Sequence, residues 1–165
     1  LRKIRASSLR NQRNLKELYL SNNLFDQFIL SGSLLSNLNK LDLSENVHLK
    51  QFELNNFNLL YLNLNKCKSL KKSDSLKLMI NLKSFLSSYI LDTFLANIDL
   101  KQFNDLVEID LSLNNMSQIN SLSLLEISQY LQKLNFQDSF GSIILNNTET
   151  FSNLIELKLS ASFKL

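Results

Sequence analysis

Apolar residues recur along this chain in one spaced pattern. It is set by Leu15-x-x-Leu18-x-Leu20-x-x-Asn23-x-Phe25. The pair Leu18-x-Leu20 has period two, so both leucines project from one face of a strand and the residues between them from the other. Asn23 stands where the strand ends, and its amide can bond backbone groups that have left the ladder. Further copies begin at Leu38, Leu59, Leu82, Leu106, Leu131 and Leu154, giving start-to-start spacings of 23, 21, 23, 24, 25 and 23 residues. Several carry an apolar lead-in, as in Leu35-x-x-Leu38-x-x-Leu41, Phe103-x-x-Leu106-x-x-Ile109 and Phe151-x-x-Leu154-x-x-Leu157. One such unit cannot bury its own leucines, but stacked copies can. The pattern predicts a buried set of Leu18, Leu20, Leu41, Leu43, Leu62, Leu64, Ile109, Leu111, Leu134, Phe136, Leu157 and Leu159.

Seven copies in near-constant register resemble the leucine-rich repeat family, and the resemblance covers about nine tenths of the chain. It implies an α/β fold class: a right-handed, curved solenoid with a parallel β-sheet on the concave face and loops and short helices on the convex face. Residues 15–165 form the repeat domain in this reading. Residues 1–14 are a basic edge or a partial repeat, with Leu1-x-x-Ile4-x-Ala6 as a candidate strand. The sequence departs from the family pattern in places. Ser87 stands where the fourth copy needs an inward apolar residue. Cys67 takes the Asn position in the third copy, a replacement the family shows, which makes it an inward, inert thiol. Ser139 and Ser162 take that position in the last two copies. Between strands, Phe28 and Leu34 or Leu35 are expected to point inward, with Gly32 supplying a bend. Leu76, Met79 and Ile80 have helical spacing, so residues 73–82 predict a short helix. Ser123-Leu124-Leu125-Glu126 reads as a capping box opening another.

The composition narrows the class. With 165 residues, 44% of them hydrophobic, the chain can bury a substantial core and is not disordered by composition. No apolar run approaches the length of about 18 residues that a membrane span needs, and residues 1–13 lack the apolar block of a signal peptide. A chain that begins at Leu1 rather than Met and stops at Leu165, directly after a strand unit, reads as a fragment of a longer repeat protein. One cysteine excludes an intrachain disulfide. Extracellular members of the family usually carry cysteine-rich caps, so the resemblance favours a cytoplasmic protein, with a piece of an ectodomain as the alternative. Asn115-Met116-Ser117 and Asn146-Asn147-Thr148 are glycosylation triplets, but asparagine is abundant enough for these to arise by chance. The absence of proline and the scarcity of glycine, with many Asn, Lys, Leu and Ser, read as coding bias.

Candidate chemistry is sparse. Two glycines cannot build a phosphate loop. His48 is the sole histidine and Cys67 the sole cysteine, so there is no ligand set for a metal and no basis for a cofactor. In neighbouring turns, one is predicted outward and the other inward, which leaves no Cys–His pair. The expectation is a protein that is not an enzyme and has no small-molecule substrate.

What the pattern leaves is a surface. Outward strand positions form columns: Glu17, Lys40, Tyr61, Ser84, Glu108, Lys133, Glu156; and Tyr19, Asp42, Asn63, Leu86, Asp110, Asn135, Lys158. From these the candidate partner-binding residues are Glu17, Tyr19, Lys40, Asp42, Tyr61, Asn63, Glu108, Asp110, Lys133, Asn135, Glu156 and Lys158. Tyr61 is the principal anchor, with Tyr19 and Tyr89 as further candidates, because tyrosine pairs a rigid apolar body with a polar tip. A nucleic-acid binder needs a continuous basic stripe with stacking aromatics. Here the basic excess lies elsewhere, in Arg2, Lys3, Arg5, Arg10 and Arg13 and in residues 66–77. The expected function, by analogy with the family, is a protein–protein interaction module binding through its concave face. The alternative is the recognition part of a receptor ectodomain or of a ubiquitin-ligase-type substrate receptor, with nucleic-acid binding behind both.

Overall fold

Each Leu-x-Leu pair, or its equivalent, lies on or beside a three-residue strand. The structure is a computed structural model describing residues 2, 6–9, 11–30, 35–56, 58–71, 73–118, 127, 129–141 and 151–159. Its strands in chain order are β1 (Glu17–Tyr19), β2 (Gln27–Leu30), β3 (Lys40–Asp42), β4 (Gln51–Leu54), β5 (Tyr61–Asn63), β6 (Ser84–Leu86), β7 (Glu108–Asp110), β8 (Lys133–Asn135) and β9 (Glu156–Lys158). Seven of them make one parallel sheet in the order β1-β3-β5-β6-β7-β8-β9. Parallel neighbours cannot be joined by a tight hairpin, so each link is a long crossover. Helix is scarce among the described residues: α1 (Asp92–Leu95) and short 3-10 turns, the longest being Asp74–Leu78. The fold class is α/β, with a largely parallel sheet and few helices.

Register follows the pattern. Leu18, Leu41, Leu62, Phe85, Ile109, Leu134 and Leu157 sit side by side across the sheet. The central members of this row are buried, as are the next inward residues Leu43, Leu64, Leu111 and Phe136. The crossovers contribute Phe25, Phe52, Phe94, Phe103 and Met116 to the same core, and the Phe85 and Phe103 rings meet at 5.7 Å. Three of the residues expected to be buried are not. Leu157 is 42% exposed, and Leu18 and Leu159 are only partly covered. They belong to the first and last copies, whose strands have a strand neighbour on one side only.

A second sheet was not anticipated: β2 pairs with β4 in parallel, burying Phe28, Leu30, Phe52 and Leu54. The signal was present, since Gln27-Phe28-x-Leu30 recurs as Gln51-Phe52-x-Leu54. The helix expected over residues 73–82 is the 3-10 turn Asp74–Leu78; it ends at Met79, so Met79 is buried and Ile80 is exposed. Ala6, proposed as part of a strand, begins a 3-10 turn. Leu35 is buried as expected. Ile4, Gly32, Leu34, Ser123 to Glu126, Asn146 and Ser162 lie outside the described residues.

The strands end in a repeated device. Asn22, Glu45, Lys66, Tyr89, Leu113 and Asp138, one per copy, have φ between 52° and 62°. A left-handed conformation costs a non-glycine residue about 1–2 kcal/mol. The cost is tolerated because the turned N–H groups reach the next copy: Glu45 to the Asn65 carbonyl at 2.8 Å, Tyr89 to Ser112 at 3.1 Å, Leu113 to Gln137 at 3.0 Å. The Asn position then stitches copies together. Asn46 Nδ2 donates to the carbonyls of Leu20 and Leu43 at 2.9 and 2.8 Å, and Asn114 Nδ2 to Ser87 and Leu111 at 2.8 and 2.9 Å. Cys67 Sγ and Ser139 Oγ reach back in the same way, to Leu43 at 3.2 Å and Leu111 at 3.1 Å. In the fourth copy this position is Ile90, whose side chain offers no such bond.

Leu111→Ala, at a side chain 1% exposed, is expected to cost about 2–5 kcal/mol by leaving a cavity, measured from urea unfolding midpoints. Leu157→Ala, at 42% exposure, should cost less than about 1 kcal/mol. Ser87 is fully buried and its hydroxyl has no hydrogen-bond partner. Ser87→Ala should therefore stabilise the fold by about 1 kcal/mol, and a lowered urea midpoint would reject that reading.

Candidate functional site

The register that buries the inward leucines also sets the outward columns. Glu17, Lys40, Tyr61, Ser84, Glu108, Lys133 and Glu156 are consecutive Cα partners at the strand starts. Tyr19, Asp42, Asn63, Leu86, Asp110, Asn135 and Lys158 are consecutive partners at the strand ends. All twelve candidate residues therefore share one face of the seven-stranded sheet. Two more complete it, Ser84 and Leu86, which were in the columns but not among the candidates. Tyr89 is not on this face; it occupies a strand-end turn, where Lys68 Nζ lies 4.0 Å from its ring centroid.

At the β1 end an aromatic–cation cluster organises the face. The Lys40 ammonium lies 4.7 Å from the centroid of Tyr61 and 5.3 Å from that of Tyr19. Tyr19 donates its hydroxyl to Glu17 Oε2 at 2.7 Å. The hydrogen bond with Tyr19, helped by the charge of Glu17, raises the pKa of Lys40. Partial burial and the nearby Asp42 carboxylate raise that of the Tyr61 hydroxyl. Both groups thus hold their protons through the neutral range.

The centre is held by bonds from neutral donors. Asp42 Oδ1 accepts from the Ser44 N–H at 2.9 Å and the Ser44 hydroxyl at 2.6 Å, and Asp42 Oδ2 accepts from Asn63 at 3.3 Å. Asp110 accepts from the Ser112 N–H at 2.9 Å, and Glu108 from the Ser84 hydroxyl at 2.7 Å. Asn63 and Asn135 cap their own strands through the N–H groups of Asn65 and Gln137, both at 3.0 Å. This is a local reason for Asn or Asp at the strand end: a short carbonyl or carboxylate there reaches the N–H two residues on. At the β9 end Lys158 bridges Glu156 at 2.6 Å, which raises the lysine pKa and lowers the glutamate pKa. Exposed pairs of this kind contribute little to stability.

The other reactive side chains lie apart from this face. Cys67 is fully buried, and burial pushes its thiol up to about 12. His48 is exposed and lines a shallow hollow with Arg2, Leu24 and Asp26. Among the described residues no group of three or more His, Cys, Asp or Glu is placed to hold a metal ion, and no helix is long and apolar enough to cross a membrane. Asn115, in the first glycosylation triplet, uses its side chain internally. It donates to Asp92 Oδ2 at 3.2 Å and accepts from the Ser117 hydroxyl at 2.6 Å. The arrangement on the sheet can form hydrogen bonds, ion pairs and aromatic contacts over an extended strip.

No protein-family model, no curated protein and no solved structure matches this chain.

A thiol-modifying reagent should label Cys67 only after denaturant is added; rapid labelling of the native chain would contradict its burial. The pH dependence follows from the raised pKa. The native thiol keeps its proton above pH 9.0, where the unfolded chain loses it, so this stabilising contribution is complete below that pH and is lost as pH climbs towards about 12. Unfolding free energies measured across that window should fall less steeply for Cys67→Ala than for the unsubstituted chain.

Proposed function

We propose that this chain is a leucine-rich repeat protein-interaction module: a right-handed, curved solenoid whose parallel sheet lines the concave side and receives a protein partner. The observation that carries this reading is the in-register ladder of outward columns across seven strands. Strands about 4.8 Å apart and three residues long give a strip of roughly 30 by 10 Å. That shape suits an extended protein surface better than a small molecule, which binds in an enclosed cleft. The recurrence of the Leu-x-x-Leu-x-Leu pattern, with Ile or Phe at some positions, at every strand of the seven-stranded sheet except β6 supports the repeat assignment, and the left-handed turn after the first six strands of that sheet repeats with the same spacing.

Binding energy at such a face concentrates in the covered centre, where aromatic anchors exclude water. Tyr61 is the anchor in this proposal, supported by Tyr19, Asp42 and Asp110, with Lys133 beside them on the face. The test compares capture by three immobilised forms of the chain: unsubstituted, Tyr61→Ala with Asp110→Ala, and Lys71→Ala with Lys77→Ala. Proteins held by the unsubstituted chain should be lost from the sheet-face variant, with affinity falling by at least about thirtyfold, as for a hot spot of about 2 kcal/mol. The lysine variant should change little beyond association rate. Loss on the lysine variant with retention on the face variant would reject the proposal.

A further inference from the structure

The outward face has the opposite charge balance to the chain that carries it. Its strand positions hold five carboxylates (Glu17, Asp42, Glu108, Asp110 and Glu156) against three ammonium groups (Lys40, Lys133 and Lys158), in a chain of formal net charge +3. Two of the three cations are also engaged where they stand. Lys158 is bridged to Glu156 at 2.6 Å, and Lys40 is held between the rings of Tyr19 and Tyr61. Asp42, Glu108 and Asp110 take their hydrogen bonds from hydroxyl, amide and backbone N–H donors, none of which neutralises their charge. Lys133 stands beside Glu108 in register and Lys158 feels the charge of Glu108 and Asp110, so the cations of the face offset its carboxylates only in part. The centre of the face thus presents half-buried negative charge around the apolar surfaces of Leu86 and Tyr61.

We propose that the partner segment received by this face is basic and arginine-bearing. This rests on the reading of the sheet face as a protein-binding surface, and names the chemistry of what binds there. Glu108 and Asp110 are two residues apart on one strand, so their backbone positions are about 6.5–7 Å apart and both side chains rise on the same side. A guanidinium has five donors in a planar fork and can bond both carboxylates, while its aliphatic stem lies on Leu86. Next to them Lys133, Asn135, Glu156 and Lys158 border a small cleft of about 90 Å³. An acidic segment or a nucleic-acid backbone would instead meet a face on which carboxylates outnumber ammonium groups, a repulsion that costs affinity.

The probe is a fluorescein-labelled peptide of about ten residues alternating arginine and serine, with a glutamate–serine peptide of equal length and a single-stranded oligonucleotide as competitors, followed by anisotropy at two salt concentrations. The arginine peptide should bind, more weakly at the higher salt. Glu108→Gln with Asp110→Asn should weaken it by about tenfold or more, the loss of two charge-assisted contacts. Lys133→Glu should tighten it, and Glu53→Gln with Asp74→Asn, away from the face, should leave it unchanged. Thermal melts confirm that each variant is folded, and the opposite directions expected for the two sets of face substitutions exclude unfolding as the cause. Preference for the glutamate peptide or the oligonucleotide, or indifference of the arginine peptide to Glu108 and Asp110, overturns the proposal. A captured protein lost with Tyr61→Ala but held as tightly by the Glu108→Gln, Asp110→Asn variant overturns the basic partner and leaves the face reading standing. One indifferent to both overturns the face reading itself.

Discussion

A three-residue strand cannot stand alone, and the whole structure answers that constraint. Each strand has too few backbone groups to form a stable pair and too few apolar side chains to form a core. Both deficits are met by the next copy along the sheet. The inward row from Leu41 to Leu134 is buried because each member has a neighbour on either side. Where a neighbour is present on one side only, at Leu18 and Leu157, burial fails. Stability in such an arrangement is close to a sum of contacts between adjacent units, so every inter-copy bond bears on the units beside it.

The turns show how those bonds are secured. After each of the first six strands of the seven-stranded sheet the chain enters a left-handed residue, and these residues are Asn, Glu, Lys, Tyr, Leu and Asp rather than glycine. The conformation is therefore imposed by the ladder and not by the residue that adopts it. Backbone N–H groups turned into the next copy, and side chains at the Asn position reaching back to the previous one, hold it in place. A third set works between strands: Asn37, Asn58 and Asn153 donate to the carbonyls of Arg13, Ser36 and Gln129 at 2.8, 2.8 and 2.6 Å. The asparagine content, which composition alone ascribes to coding bias, thus has a structural part. A short amide reaches a carbonyl one copy away and ties the two copies together.

The same register has a second consequence. Because strand side chains alternate, a sheet that aligns its leucines on one side must align whatever lies between them on the other. Glu17, Lys40 and Tyr61 become neighbours, as do Asp42, Asn63, Leu86 and Asp110, although they are more than twenty residues apart in the chain. Continuity of the surface is thus a by-product of core packing. Its chemistry is two tyrosines around a lysine at one end and carboxylates on neutral donors at the centre, and only its strand-end Asn and Asp residues also hold the strand ends.

The sequence by itself determined the strand positions of the seven-stranded sheet, their register and the membership of both outward columns, because all three follow from a period-two pattern repeated at near-constant spacing. It also placed Cys67 inward, because position in the repeat outweighs the flanking lysines. The tertiary structure alone decided the rest. Gln27-Phe28-x-Leu30 and Gln51-Phe52-x-Leu54 occur in only two copies, and nothing marks them as strands until they are laid side by side. Tyr89 has the composition of a face anchor, but a turn carries it off the face. Leu157 matches its buried equivalents residue for residue and is exposed, since burial depends on neighbours and not on the residue itself. The setting of Lys40 is also tertiary: it counts as a free cation in the sequence, and only the folded sheet shows it beside the rings of Tyr19 and Tyr61. Local patterning fixes which way a side chain points, whereas the partners it meets are set by chain segments some twenty residues away, which no local pattern encodes.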